Sequence, residues 1–146
     1  MKLGFIGCGK ISLSVITGIL SSNLKVSKIF ISKRNSKISS YLNKKYKKIK
    51  IIKNNQEIID KSNWIFLAIT PSVGEKIIKD LKFKPNQKII SFISTITIPK
   101  LKKMINIKAD IVRAIPLPPI SLKQGPIPIC PPNKKVKQFF NQLGSV

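Results

Sequence analysis

Histidine is absent from the 146 residues, and only five carboxylates occur: Glu57, Asp60, Glu75, Asp80 and Asp110. Without histidine there is no Ser-His-Asp or Cys-His nucleophilic machinery and no zinc site of ordinary donor composition. The carboxylates are too scattered to suggest a paired acid and base or a magnesium site. Two cysteines, Cys8 and Cys130, have neither metal nor redox spacing. No apolar run is long enough to span a bilayer. Only seven residues precede Cys8, too few for the apolar region of a secretory leader. The expectation is a cytoplasmic protein with no membrane segment, no metal and no catalytic side chain of these kinds.

Apolar residues make up 42% of the chain, which places it among globular rather than disordered sequences. Its length suits one domain, residues 1–146, with a sizeable core. The formal charge of +23 raises a nucleic-acid reading. The lysines run through nearly every segment, however, with one denser run at Lys44 to Lys50, alongside abundant isoleucine and asparagine, as an AT-rich coding sequence would impose. Aromatics are 7% and are read as standing apart from the basic residues. A solvated lysine coat is therefore expected, with no specific nucleic-acid partner and only adhesion to polyanions at low salt.

The informative stretch is the first twelve residues. A short apolar run, Leu3 to Ile6, leads straight into Gly7-Cys8-Gly9, and Val15, Ile16, Ile19 and Leu20 then recur at helix spacing. Strand, glycine turn and helix in this order are the context a dinucleotide fingerprint requires. Gly7 permits the tight turn, and Gly9 lets backbone approach a pyrophosphate with no Cβ between. The N–H groups opening the helix then face the phosphates. The third glycine position holds Ser12, small but less suited to close helix–strand packing. Cys8 reads as a small filler of the turn.

Further along, Lys28 to Ser32 reads as a strand, with Asn35 or Ser36 capping a helix that runs to about Tyr46. Lys48 to Ile52 is a short strand and Asn54 to Asp60 a short helix. Asn63 to Ile69 is continuously apolar, as a strand buried on both faces would be. Pro71 opens a helix that ends before Pro85. Gln87 to Ile93 is a strand, Pro99 to Met104 a helix, and Asp110 to Ile115 a strand. Seven prolines between 116 and 132 exclude helix or central strand there, leaving an ordered loop or edge piece. Lys134 to Leu143 is a last helix, stopped at Gly144. The fold class is α/β: a Rossmann-type, doubly wound, mostly parallel sheet with helices on both faces.

The end of the second strand points to the form of the dinucleotide. An acid about 20 residues past the glycine turn normally holds the adenosine ribose hydroxyls. Here the first acid in the chain is Glu57, and strand two ends in Ser32-Lys33-Arg34-Asn35. A hydroxyl, two cations and an amide suit a 2′-phosphate, with Arg34 as its bidentate partner. NADP(H) is expected over NAD(H).

The order of these segments resembles the N-terminal domain of the pyrroline-5-carboxylate reductase family. Gly4-Phe5-Ile6-Gly7-Cys8-Gly9 is similar to the family's opening, Ser32 to Asn35 to its second strand end, and Asn54-Asn55-Gln56-Glu57 to the polar turn after its third strand. Phe66 to Pro71, Thr97-Ile98 and Val112 to Pro116 continue the match, and Phe139 to Val146 is similar to the join with a second domain. The resemblance implies reduction of a cyclic imine, 1-pyrroline-5-carboxylate, to proline. Carried over by position, Gly7, Cys8, Gly9, Lys10, Ile11 and Ser12 would hold the pyrophosphate. Ser32, Arg34 and Asn35 would hold the 2′-phosphate, Asn55 would face the adenosine, and Ala68, Ile69, Thr70 and Pro71 would line the nicotinamide side. No catalytic side chain is implied, because a protonated imine is already electrophilic.

Three departures lie at the substrate end. The family usually carries lysine where Thr70 stands, a small Ala-Ala-Gly step where Ile93-Ser94-Thr95 stands, and asparagine where Leu117 stands. It also continues past the position of Gly144 into a helical dimerisation domain that grips the substrate, which is not expected in this chain. Three readings stay open. One is a reductase whose helical domain is truncated, separately encoded or supplied by a partner, which exposed apolar residues on the last helix would favour. The others are a non-catalytic or decayed NADP-binding domain and a basic nucleic-acid binder. A reductase acting on a relative of the usual substrate is also open.

Overall fold

The computed structural model describes residues 1–33 and 35–146. Arg34, expected to meet a 2′-phosphate, lies outside the described residues. The elements alternate as the hydrophobic pattern requires: β1 (Lys2–Ile6), α1 (Lys10–Leu20), β2 (Lys28–Ser32), α2 (Ser36–Lys45), β3 (Ile49–Ile52), α3 (Asn55–Lys61), β4 (Trp64–Leu67) and α4 (Pro71–Ile77). A 3₁₀ turn, Ile78–Asp80, prolongs α4. Then come β5 (Lys88–Ser91), α5 (Ile98–Ile105), β6 (Asp110–Ala114), a 3₁₀ turn at Pro118–Leu122, β7 (Ile129–Cys130) and α6 (Lys134–Phe140).

The strands form one sheet in the order β3-β2-β1-β4-β5-β6-β7, parallel through β6. β7 pairs antiparallel with β6, so part of the proline-rich segment is an edge strand. Consecutive residues of a strand face opposite sides, and the core divides accordingly. On one side Leu3, Phe5, Ile29, Ile31 and Phe66 pack against α1, α2 and α6. On the other, Ile6, Phe30, Ile65, Leu67 and Ile89 pack against α3 and α5. Phe5 and Phe66 stack at 4.5 Å between centroids, and Phe139 of α6 lies over Phe66 and Trp64 at 5.9 and 4.7 Å. Each such buried side chain contributes roughly 1.5–3 kcal/mol. The apolar side chains of α6, Val136, Phe139 and Phe140, are therefore interior rather than presented to solvent.

Among the large exposed apolar side chains, Ile115, Leu117 and Leu122 fall together in the segment after β6, with Met1, Tyr41 and Val146 elsewhere. This segment is ordered by contact with α1. A Cβ on Gly18 would overlap the Ile120 carbonyl, and Lys123 Nζ donates to the Ser21 carbonyl at 3.1 Å.

Candidate functional site

Strand order reverses between β1 and β4, and the chain leaves their carboxyl ends toward opposite faces. That divergence opens a crevice at the edge of the sheet. It is a cleft of about 520 Å³ lined by Gly7, Cys8 and Gly9 of the β1–α1 turn, Ala68, Ile69 and Thr70 of the β4–α4 loop, and Asn35, Ser36 and Lys37 at the start of α2. Three stretches distant in sequence thus meet at one place. Ser36 and Lys37 are additions to the expected set; both fall in the first turn of a helix read only for its cap.

Gly7 has φ +93°, the left-handed region that favours glycine. A Cβ there would stand 2.7 Å from Ile69 Cγ2 and overlap the Ala68 carbonyl. Two serine hydroxyls brace its peptide groups. Gly7 N–H donates to Ser32 Oγ at 3.2 Å, and Ser12 Oγ donates to the Gly7 carbonyl at 3.0 Å. Ser12 is fully buried, so a serine at the third glycine position secures the turn from behind. Ser32, itself 7% exposed, does the same from the end of β2.

Gly9 is different. Its backbone is extended, with φ −95°, and a Cβ there would meet no heavy atom within 4 Å. Neither conformation nor internal packing calls for glycine at this position. What glycine provides is unobstructed backbone at the wall of the cleft.

Helix ends sharpen the picture. α2, α3, α5 and α6 are capped by their own Asn35, Asn54, Thr97 and Asn133 side chains. α1 and α4, whose N-termini adjoin the cleft at Gly9 and Thr70, have no side-chain cap. α1 also has no acid in its first turn. Its leading N–H groups and the positive end of its dipole are thus left to an anion. Burial pushes the Cys8 thiol up to about 11, so it stays neutral and adds no negative charge beside them. Lys37 brings a cation to the α2 end of the cleft. Asn35 spends its Oδ1 on the Ile38 N–H at 3.3 Å; the cap does not use its amide N–H groups.

The other expected residues lie nearby or apart. Lys10 and Ile11 open α1 just behind Gly9, Lys10 exposed and Ile11 half-buried, and Pro71 starts α4 after Thr70. Asn55, at the start of α3, faces a separate depression shared with Gln56 and Asp80 rather than the cleft. Ile93 is buried against α4, where Gly74 leaves room for it: a Cβ on Gly74 would stand 3.2 Å from Ile93 Cδ1. Its bulk goes into the interior, not the crevice. Leu117 is 44% exposed.

Comparison with known proteins identifies the family and the fold. The family described as NADP oxidoreductase, coenzyme F420-dependent, matches residues 2–96. Pyrroline-5-carboxylate reductase 3 of Danio rerio is 28% identical over 128 residues, covering 86% of this chain and 44% of the relative. The chain spans about half the length of the curated relatives it matches. Among solved structures, a 1-pyrroline-5-carboxylate reductase from Streptococcus pyogenes superposes with a TM-score of 0.82 at 22% identity, over 99% of this chain and 56% of that one. A Plasmodium falciparum pyrroline carboxylate reductase with NADP bound gives 0.81 at 23%, again over 99% and 56%. At these identities the structures establish the shared fold.

Proposed function

The chain belongs to the family of NADP oxidoreductases described as coenzyme F420-dependent, and from that premise we propose that it serves hydride transfer from NADPH to a cyclic imine of the 1-pyrroline-5-carboxylate kind, in proline biosynthesis. The observation that carries the reading is the glycine turn: Gly7 held by two serines, Gly9 with open space where a Cβ would be, and the uncapped N-terminus of α1 beside it. Backbone N–H groups from Gly9 into α1 would hold the pyrophosphate. Ser32, Arg34 and Asn35, with Lys37, would meet the 2′-phosphate. Ala68, Ile69, Thr70 and Pro71 would line the nicotinamide side.

When bound, the nicotinamide supplies the hydride. The protein's part is orientation and exclusion of water, so a wall of Ala68 and Ile69 needs no general acid or base. Domain extent 1–146 and a cytoplasmic setting, where the free thiols Cys8 and Cys130 stay reduced, belong to the same proposal.

The second reading, an NADP-binding domain without turnover, draws on Thr70 and on exposed Leu117 at the substrate end. Ile93 no longer counts toward it, because Gly74 absorbs its bulk. Fluorescence titration with NADPH and NADH, followed by addition of 1-pyrroline-5-carboxylate, tests both. Tighter NADPH binding and its oxidation by the imine are expected. Binding without oxidation selects the second reading, and binding of neither cofactor refutes both.

A further inference from the structure

Eight lysines fall between residues 33 and 53, and no carboxylate precedes Glu57. All eight are exposed. They are carried by α2, by the edge strand β3 and by the short connections around them, so they gather along one border of the sheet. Among the described residues none of them enters an ion pair; the pairs there join Lys61 to Glu57, Lys88 to Asp110 and Lys100 to Glu75. The acids stand on α3, on α4 and its following turn, and at the start of β6. The lysine coat expected from composition is thus uneven, and this border has no counter-charge of its own.

Both tyrosines of the chain are here, which corrects the expectation that aromatic and basic residues stand apart. The Lys45 ammonium lies over the Tyr41 and Tyr46 rings, 5.4 and 5.5 Å from their centroids, and donates to the Tyr41 hydroxyl at 3.0 Å. Tyr41 is 49% exposed. Lys37, Tyr41 and Lys44 follow one another at intervals of three or four, a single stripe on α2. Its Lys37 end lines the cofactor cleft.

Closely spaced, unneutralised ammonium groups repel, and a chain of phosphodiesters relieves that repulsion while displacing its own counterions. An exposed ring among those cations offers a face on which a base can stack, whatever its identity. A membrane surface is the poorer fit, since Leu42 and Ile49 are buried here and Ile38, Ile51 and Ile52 are partly so, leaving no large aliphatic side chain to insert. We propose that the α2–β3 border binds single-stranded nucleic acid without sequence preference, the lysines meeting phosphates and Tyr41 a base.

The test is fluorescence anisotropy of a labelled oligodeoxythymidylate with the full chain across a salt series. One variant changes Lys44, Lys45, Lys47 and Lys48 to Gln. A control of equal charge changes Lys76, Lys79, Lys102 and Lys103, all exposed on the opposite face. The border variant is expected to lose about tenfold or more in affinity and to flatten the log–log salt slope by about 3, at ~0.7 per phosphate contact. The control should change affinity by less than about twofold. Tyr41→Ala is expected to weaken binding about fivefold with the slope unchanged, thermal midpoints confirming that all variants fold. Equal losses in the two lysine variants would reduce the effect to net charge and overturn the proposal. So would binding to anionic phospholipid vesicles through this border with none to the oligonucleotide. Full affinity in Tyr41→Ala would overturn the stacking contact.

Discussion

Replacing Gly9 by alanine separates what the glycine turn does for the fold from what it does for a ligand. The backbone at Gly9 is extended and the added methyl meets no protein atom. Two small stability effects oppose each other. Alanine is a poorer N-cap than glycine by roughly 0.5–1 kcal/mol, and it lowers the entropy of the unfolded chain by roughly 0.4–1 kcal/mol. The net change should lie within about 1 kcal/mol, a shift of no more than about 3 °C in thermal midpoint. NADPH affinity should respond quite differently. A methyl on that wall would hold the pyrophosphate off the N–H groups of α1, and losing two charge-assisted hydrogen bonds costs about 3 kcal/mol, or roughly a hundredfold in Kd. Gly7→Ala gives the converse pattern. Left-handed backbone costs about 1–2 kcal/mol for a residue with a Cβ, and crowding against Ala68 and Ile69 adds about 1–3 kcal/mol. That sum predicts a midpoint lower by about 10 °C. Differential scanning fluorimetry paired with NADPH titration reads both quantities. Wild-type NADPH affinity in a well-folded Gly9→Ala protein would refute the assignment of the pyrophosphate to this turn.

Other outcomes follow from the same structure. Ser12→Ala leaves the Gly7 carbonyl unpaired behind the turn and should lower stability by about 1–2 kcal/mol in urea unfolding; an unchanged midpoint would mean the brace is dispensable. Arg34→Ala should weaken NADPH binding by about 1.5–3 kcal/mol and leave NADH nearly unaffected, and equal losses for both would sink the 2′-phosphate assignment. At pH 8 the folded protein should show one fast thiol, exposed Cys130, whereas Cys8, held protonated by burial, should react with a thiol reagent only on unfolding. Burial acts against the Asp110 carboxylate, but hydrogen bonds from Lys88 and Asn133 outweigh it and hold its pKa below the usual 3.8. Its stabilising effect is therefore present above about pH 4 and is lost as pH falls through the lowered value. Asp110→Asn should be less stable than the wild type at pH 7, with the gap narrowing as pH falls below about 4; a gap that does not narrow with falling pH would contradict this origin.

Much of the architecture was legible because apolar period and turn chemistry agree at each step. The run from Leu3 to Ile6, the capping Asn35 and Asn54, and Pro71 at a helix start all specify local structure by mechanisms that need no distant partner. Strand ends were less so: the apolar run to Ile69 stops pairing as a strand at Leu67, since Ala68 and Ile69 turn into the crevice and their hydrophobicity gives no warning of it. At the cleft, Gly7 to Gly9 could be read from the strand–turn–helix order, whereas Ala68 to Thr70 came only from the family resemblance. Lys37 could not, because one lysine in a chain so rich in lysine carries no local mark; only the folding of α2 beside the crevice distinguishes it. The role of Ser12 was hidden for a related reason. A fingerprint describes which side chain is tolerated, whereas the hydrogen bond to Gly7 depends on a carbonyl five residues away. Asn55 differs again, a polar residue at the same edge of the sheet that lines a neighbouring depression rather than the cleft itself.

The hydrogen bond from Gly7 to Ser32 bears on how cofactor preference could change in such a protein. The residue ending β2 is where a dinucleotide enzyme chooses between a ribose hydroxyl and a phosphate, yet here that same side chain holds the glycine turn proposed to meet the pyrophosphate. An acid introduced at Ser32 to favour NADH would put a larger, charged group where a buried hydroxyl accepts the Gly7 N–H. Selection, natural or in the laboratory, is thereby steered to the exposed neighbours, Lys33, Asn35 and Lys37, which can vary without disturbing the turn.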